Sequence, residues 1–136
     1  MPLPIGFSYG TGSLSSSFVA IAVAKDTTNE SKSQSVPNKS LLDKVRFSLN
    51  TIAGSATQVV WYLAEDSLGK HALTPSQTTT IDTGLSATTF GFISASLDGF
   101  PYRRTSKITT AGTMYLIAKT DAGTATGEVF IHWRRA

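Results

Sequence analysis

Residues 111–133, AGTMYLIAKTDAGTATGEVFIHW, hold two apolar runs joined by a turn, Asp121-Ala122-Gly123-Thr124. In an extended chain Met114, Leu116 and Ala118 share one face, and so do Val129, Ile131 and Trp133. Alternate residues of a strand point the same way, so this period of two specifies a hairpin with one buried side. The other side is unusual. Tyr115, Ile117 and Phe130 lie on it, where a sandwich strand normally shows polar groups to water. The pattern fixes strands, and it also leaves a second apolar face that something must cover.

The same period recurs along the chain. Strands are predicted at 18–25, 44–50, 58–65, 78–83, 88–98, 105–110, 112–119 and 126–134. In the second, Val45, Phe47 and Leu49 face in while Lys44, Arg46 and Ser48 face out. Asp98-Gly99 and Pro101 are expected to end the fifth, and Leu41–Asp43 to form a single turn at most. Gly, Pro and Asx signals separate these runs and no segment has a helical period. The fold class expected is all-β: one antiparallel two-sheet β-sandwich of about eight strands. Residues 1–17, MPLPIGFSYGTGSLSSS, read as an extended N-terminal arm with too many apolar groups (Leu3, Ile5, Phe7, Tyr9) for a solvated tail, and 18–136 as the β-sandwich domain. Residues 26–40 read as a long polar loop. TIAGSATQVVW (51–61) echoes TDAGTATGEVF (120–130), which we read as shared turn chemistry.

Composition narrows the chemistry. The 136 residues include no Cys, which rules out a disulfide, a thiolate nucleophile and a Cys-ligated zinc. His71 and His132 are the two histidines. Glu128 shares a strand face with His132 but lies about 13 Å away at ~3.3 Å per residue, too far to hold one ion. No Ser occupies a Gly-x-Ser-x-Gly elbow, SLGKH (67–71) lacks most of a P-loop, and the adjacent Glu65 and Asp66 point to opposite faces. An enzyme is not expected, nor a metal or other cofactor. No apolar run reaches the ~18 residues of a membrane helix, and the N-terminus does not read as a signal peptide.

The formal net charge is +3 with 15% charged residues, and the dense basic groups are Arg103–Arg104 and Arg134–Arg135. Phe100, Pro101, Tyr102, Arg103 and Arg104 come nearest to the basic-aromatic mixture on which bases stack, yet Tyr and Arg also favour protein interfaces. Protein contact is the preferred reading, with nucleic acid possible but not favoured. No strongly basic arm is present to condense a genome.

Two families are suggested by these residues. Gly112, Ala118 and Gly123 match the penultimate strand of an immunoglobulin-type domain, with Met114, Leu116 and Thr120 at the Tyr, Cys and Asn positions. Trp61 would be that family's core tryptophan, twelve residues after Leu49 at the first Cys position. The strand count, the Pro/Gly/Ser arm and the closing GEVFIHW also resemble the eight-stranded jelly roll of small viral capsid and capsid-associated proteins. Both resemblances imply a non-enzymatic structural component of a virus particle, located in the virion: a capsid subunit or a decorating protein. It would bind itself or other virion proteins through its arm, sheets and loops. The expected interface residues are Leu3, Ile5, Phe7, Tyr9, Tyr62, Phe100, Tyr102, Arg103, Arg104, Tyr115 and Phe130. The alternative is a glycan- or receptor-binding sandwich, in which Trp61 or Trp133 stacks on a sugar ring.

Overall fold

The period-two runs become strands that bury one face against each other. The computed structural model describes residues 5–25, 32–83, 91–103 and 113–135. Its strands are β1 (Ile5–Leu14), β2 (Val19–Val23), β3 (Ser40–Ala53), β4 (Gln58–Ala64), β5 (Gln77–Thr80), β6 (Gly91–Tyr102), β7 (Met114–Thr120) and β8 (Thr124–Arg135). They form two antiparallel four-stranded sheets, ordered β1-β8-β3-β6 and β2-β7-β4-β5. Trp61, Phe47, Leu63, Ile93, Met114, Leu116 and Ile131 are fully buried between them.

The order decides the topology. β1 pairs with β8, β2 with β7, β3 with β6 and β4 with β5. That is one long antiparallel ribbon, closed at β4–β5 and rolled so that its turns stack into two sheets: a jelly roll. An immunoglobulin sandwich instead places its first, second, fifth and fourth strands in one sheet. Leu49 and Leu116 do lie buried in opposite sheets, but in jelly-roll order. Paired backbone bonds between Tyr9 and Ala24, and between Asp82 and Phe92, join the two sheets at both edges.

Three expectations are corrected. Residues 5–14 are not an arm but β1, in register with β8 from Ile5↔Arg134 to Leu14↔Ala125. Their composition misleads because β1's inward positions are Gly6, Ser8, Gly10, Gly12 and Leu14, and neighbours press onto its backbone. A Cβ on Gly6 would lie 2.7 Å from the Trp133 ring, and one on Gly12 2.7 Å from Cγ1 of Ile21. Glycine in a strand marks this close approach. Leu41–Asp43 is strand, not a turn. β6 does not stop at Asp98 but passes through Asp98 (φ 52°) and Gly99 (φ 71°) and resumes, pairing Phe100 with Leu42. The segment 105–110, read as a strand, lies outside the described residues.

The two echoing turns lie side by side at one end of the sandwich. Asp121 of the β7–β8 turn accepts from the backbone N–H of Thr57 at 2.8 Å and of Gln58 at 3.0 Å, and from the Thr57 hydroxyl. These donors, the Thr57 hydroxyl foremost, hold the Asp121 carboxyl well below the usual carboxylate range. A carboxyl depressed in the folded state contributes stability above its unfolded pKa and loses it as pH falls. Asp121→Asn is therefore expected to lower the urea midpoint at pH 7, the gap from wild type narrowing below about pH 4. A gap independent of pH would contradict this. Gly12→Val, which raises intrinsic strand preference, should nonetheless destabilise by about 1–3 kcal/mol, because it overpacks against Ile21. Denaturant unfolding of the variant checks the sign.

Candidate functional site

The described core is aliphatic and aromatic, and most charged side chains among the described residues lie on the outer faces. On the β2-β7-β4-β5 sheet the outward side chains include Tyr115, Ile117 and Lys119 of β7 and Tyr62 of β4, the apolar face noted in the sequence. The loop after β4 covers its centre. Asp66 accepts from the N–H of Lys70 at 3.1 Å and of His71 at 2.8 Å, folding the loop back. The Tyr62 hydroxyl then donates to the Gly69 carbonyl at 3.1 Å. Burial works against the Asp66 carboxylate, but these backbone donors prevail and its pKa is lowered. Ile117 is left 4% exposed. The rim stays apolar. Leu68 is 75% exposed and Phe18 is 46% exposed, with the Phe18 ring 5.9 Å from Tyr62 and the Lys119 ammonium 4.7 Å from the Phe18 centroid.

The outer face of β1-β8-β3-β6 is aromatic and basic. Its cross-strand rows place Phe7 and Lys44 on either side of His132, and Tyr9 and Arg46 on either side of Phe130. Phe130 lies 5.8 Å from Phe7 and 5.3 Å from Tyr9, and its ring stacks along the strand on His132 at 6.5 Å. The Arg46 guanidinium lies 5.1 Å over Phe92. Partial burial, then the Lys44 and Arg46 cations, hold the His132 imidazole below its ordinary value, and Asp43 offsets them only in part. Asp43 is bound by Arg134 Nε at 3.1 and 3.2 Å. Ile5, Gly6, Phe7, Asp43, His132 and Trp133 line a concavity of about 370 Å³ beside this row.

One end of the same sheet gathers cations. Ser40 pairs with both Arg135 and Tyr102, and the N–H of Lys39 donates to the Tyr102 carbonyl at 3.0 Å. Lys39, Arg103, Arg134 and Arg135 therefore converge, with a depression of about 110 Å³ between Lys39 and Arg103. No local pattern shows this; it depends on β6 and β8 both pairing with β3.

The expected site residues divide by burial. Ile5 (78% exposed), Phe7, Tyr62, Tyr115, Phe130 and Arg103 reach the surface in whole or part. Tyr9 is buried where the sheet edge closes against Ala24, and cannot be a surface anchor. Tyr102 is buried and Phe100 packs on the core, because the irregularity at Asp98-Gly99 shifts the strand's alternation by one residue. Leu3 and Arg104 lie outside the described residues. Both tryptophans are core residues rather than sugar platforms. The Trp61 ring N–H donates to Thr79 at 2.9 Å, and that of Trp133 to Ser8 at 3.2 Å. Among the described residues no three His, Asp or Glu groups are placed to share a metal ion, and no helix is long and apolar enough to cross a membrane.

No protein-family model matches the chain, and no curated protein does. Among solved structures it is similar to the N-terminal endo-1,4-beta-D-xylanase 10B of Clostridium thermocellum, in its CBM22-1 and GH10 modules complexed with xylohexaose. The identity is 11% and the TM-score 0.37, covering 96% of this chain and 26% of that one. The chain thus spans about a quarter of that protein's length, and the likeness is too distant to bear on function.

The outer face can be probed through its histidine. In an NMR titration His132 is expected to titrate below 6.5, and Lys44→Gln with Arg46→Gln should move its midpoint upward. A wild-type midpoint at or above the ordinary value would contradict the geometry.

Proposed function

We propose that this chain is a non-enzymatic structural component of a virus particle, a capsid subunit or a protein that decorates a capsid, acting through protein–protein contacts. The observation that carries the reading is the apolar rim of a jelly roll whose interior is filled. Phe18 and Leu68 are exposed, Phe18 against the half-buried Tyr62 and Leu68 next to the Gly69 that Tyr62 binds, apolar surface of the kind that supports an interaction site. The jelly roll recurs in viral capsids, lectins and cupins. Of these, the cupin role is least supported, since the described interior is aliphatic and aromatic.

A glycan-binding module is the second reading, and the concavity of about 370 Å³ supports it. Ile5 and Phe7 supply an apolar wall there, with Asp43 and His132 as polar groups, the mixture a sugar ring uses. It replaces the tryptophan platform expected from the sequence.

Light scattering over about a hundredfold concentration range, with electron microscopy, tests assembly. The expected result is a mass that rises with concentration, and Phe18→Asp with Leu68→Asp should weaken association by about tenfold or more. A monomer throughout, with no particles, would remove the capsid-subunit form of the proposal. Binding of the chain to a glycan array, lost on Phe7→Ala, would favour the second reading instead.

A further inference from the structure

We infer that the outer face and basic end of the β1-β8-β3-β6 sheet bind single-stranded nucleic acid. The inference goes beyond the assembly reading and stands without it.

Charge is the first ground. Lys39, Lys44, Arg46, Arg103, Arg134 and Arg135 lie on this face or at its end. The carboxylates of the same surface are Asp43, Asp98 and Glu128. Asp43 is taken by Arg134, Asp98 accepts from the Ser96 hydroxyl at 2.8 Å, and Glu128 lies toward the opposite end, beside Ser48. Six cations against three carboxylates leave a surplus of three, equal to the formal net charge of the whole chain. The remaining cations and carboxylates of the sequence are equal in number, six of each. Lys39, Lys44, Arg46 and Arg103 have no ion pair among the described residues.

Ring placement is the second ground. Phe130, His132 and Arg134 follow one another on the same face of β8, about 6.7 Å apart at two residues per step. The next strand, roughly 4.8 Å to the side, places Lys44 beside His132 and Arg46 beside Phe130. Each half-buried ring thus has a cation as its neighbour. Bases stack on aromatic faces while basic side chains follow the phosphates, without reading sequence. The depression of about 110 Å³ between Lys39 and Arg103 has the room of roughly three or four waters, enough to seat a phosphate at the end of the track. From Ser40 to Arg46 the track runs about 20 Å, or roughly three nucleotides at the ~6.7 Å step of the rings.

Shape selects single strands. Only an unpaired strand can splay its bases onto rings set in a broad sheet face such as this one. A protein partner would need acidic groups at the spacing of these cations, and it becomes an outcome of the test.

Fluorescence anisotropy with a labelled oligothymidylate of about twelve nucleotides, and a duplex of equal length, supplies that test on the full chain. The single strand should bind more tightly than the duplex. If about four phosphates are neutralised, the log-log salt slope is about −3, so raising salt from roughly 50 to 200 mM weakens binding about 50-fold. Lys44→Gln with Arg46→Gln should reduce the slope by about 1.4, and Lys39→Gln with Arg103→Gln by a similar amount. Phe130→Ala should weaken binding about tenfold with little change of slope. Lys70→Gln with Lys119→Gln, on the outer side of the opposite sheet, should change neither. Thermal unfolding confirms that each variant folds, and light scattering on the same samples reads assembly separately, so either reading can fail alone. Absence of binding at low salt, or equal loss from the Lys70 and Lys119 pair, would overturn the inference. So would face variants that alter the oligomeric mass and leave oligonucleotide binding intact; that result would assign the face to subunit contact.

Discussion

The close approach of bulky core side chains to a strand whose inward positions are mostly glycine underlies the rest of this structure. Trp133 from β8 and Ile21 from β2 press on the backbone of β1, where Gly6 and Gly12 leave room for them. That contact lets the first strand pair with the last. Once β1 and β8 are joined, β8 has partners on both sides, its inward residues Val129, Ile131 and Trp133 are buried, and the ribbon closes into a jelly roll. Larger side chains at these positions of β1 would separate strand from core and open the sheet's edge.

A sandwich filled in this way has two outer faces to use, and they differ in kind. One is apolar at its rim and partly roofed by its own β4–β5 loop, held by Asp66 and by the Tyr62 hydroxyl. The other is aromatic and cationic, with rings and positive charges in neighbouring rows. Hydrophobic contact is non-directional and suits broad protein surfaces, while interleaved rings and cations match planar bases and phosphates. A structural subunit with both would have one face for its neighbours and one for what its neighbours enclose.

Irregular strands do much of the positioning. The shift between Leu42 and Lys44 in β3 turns Asp43 and Lys44 both away from the core, bringing the carboxylate to Arg134 and the ammonium beside His132. Opposite it, Asp98 and Gly99 in β6 re-phase the strand so that Tyr102 is buried and Arg103 emerges next to Lys39. Both the cluster of rings and the basic end thus rest on breaks in the alternation that builds the sheets.

The alternation was legible in the sequence: Val45, Phe47 and Leu49, Met114 and Leu116, and Val129 and Ile131 lie inward as their spacing required, and an all-β sandwich followed. This worked because burial on one side of a strand imposes a period of two wherever the ladder is regular. β1 was hidden because a strand pressed by its neighbours carries glycine and serine, the residues that also make arms and turns. The continuation of β6 was hidden because Asp-Gly and Pro mark a strand end and an irregular strand alike. The basic end was out of reach in principle, since Lys39, Arg103 and Arg135 are distant in the chain and meet only through shared pairing with β3. Local spacing determined which residues face the core. Only the tertiary structure decided which strands lie side by side, because strand order is set by the simultaneous packing of two sheets and no single strand's sequence contains it.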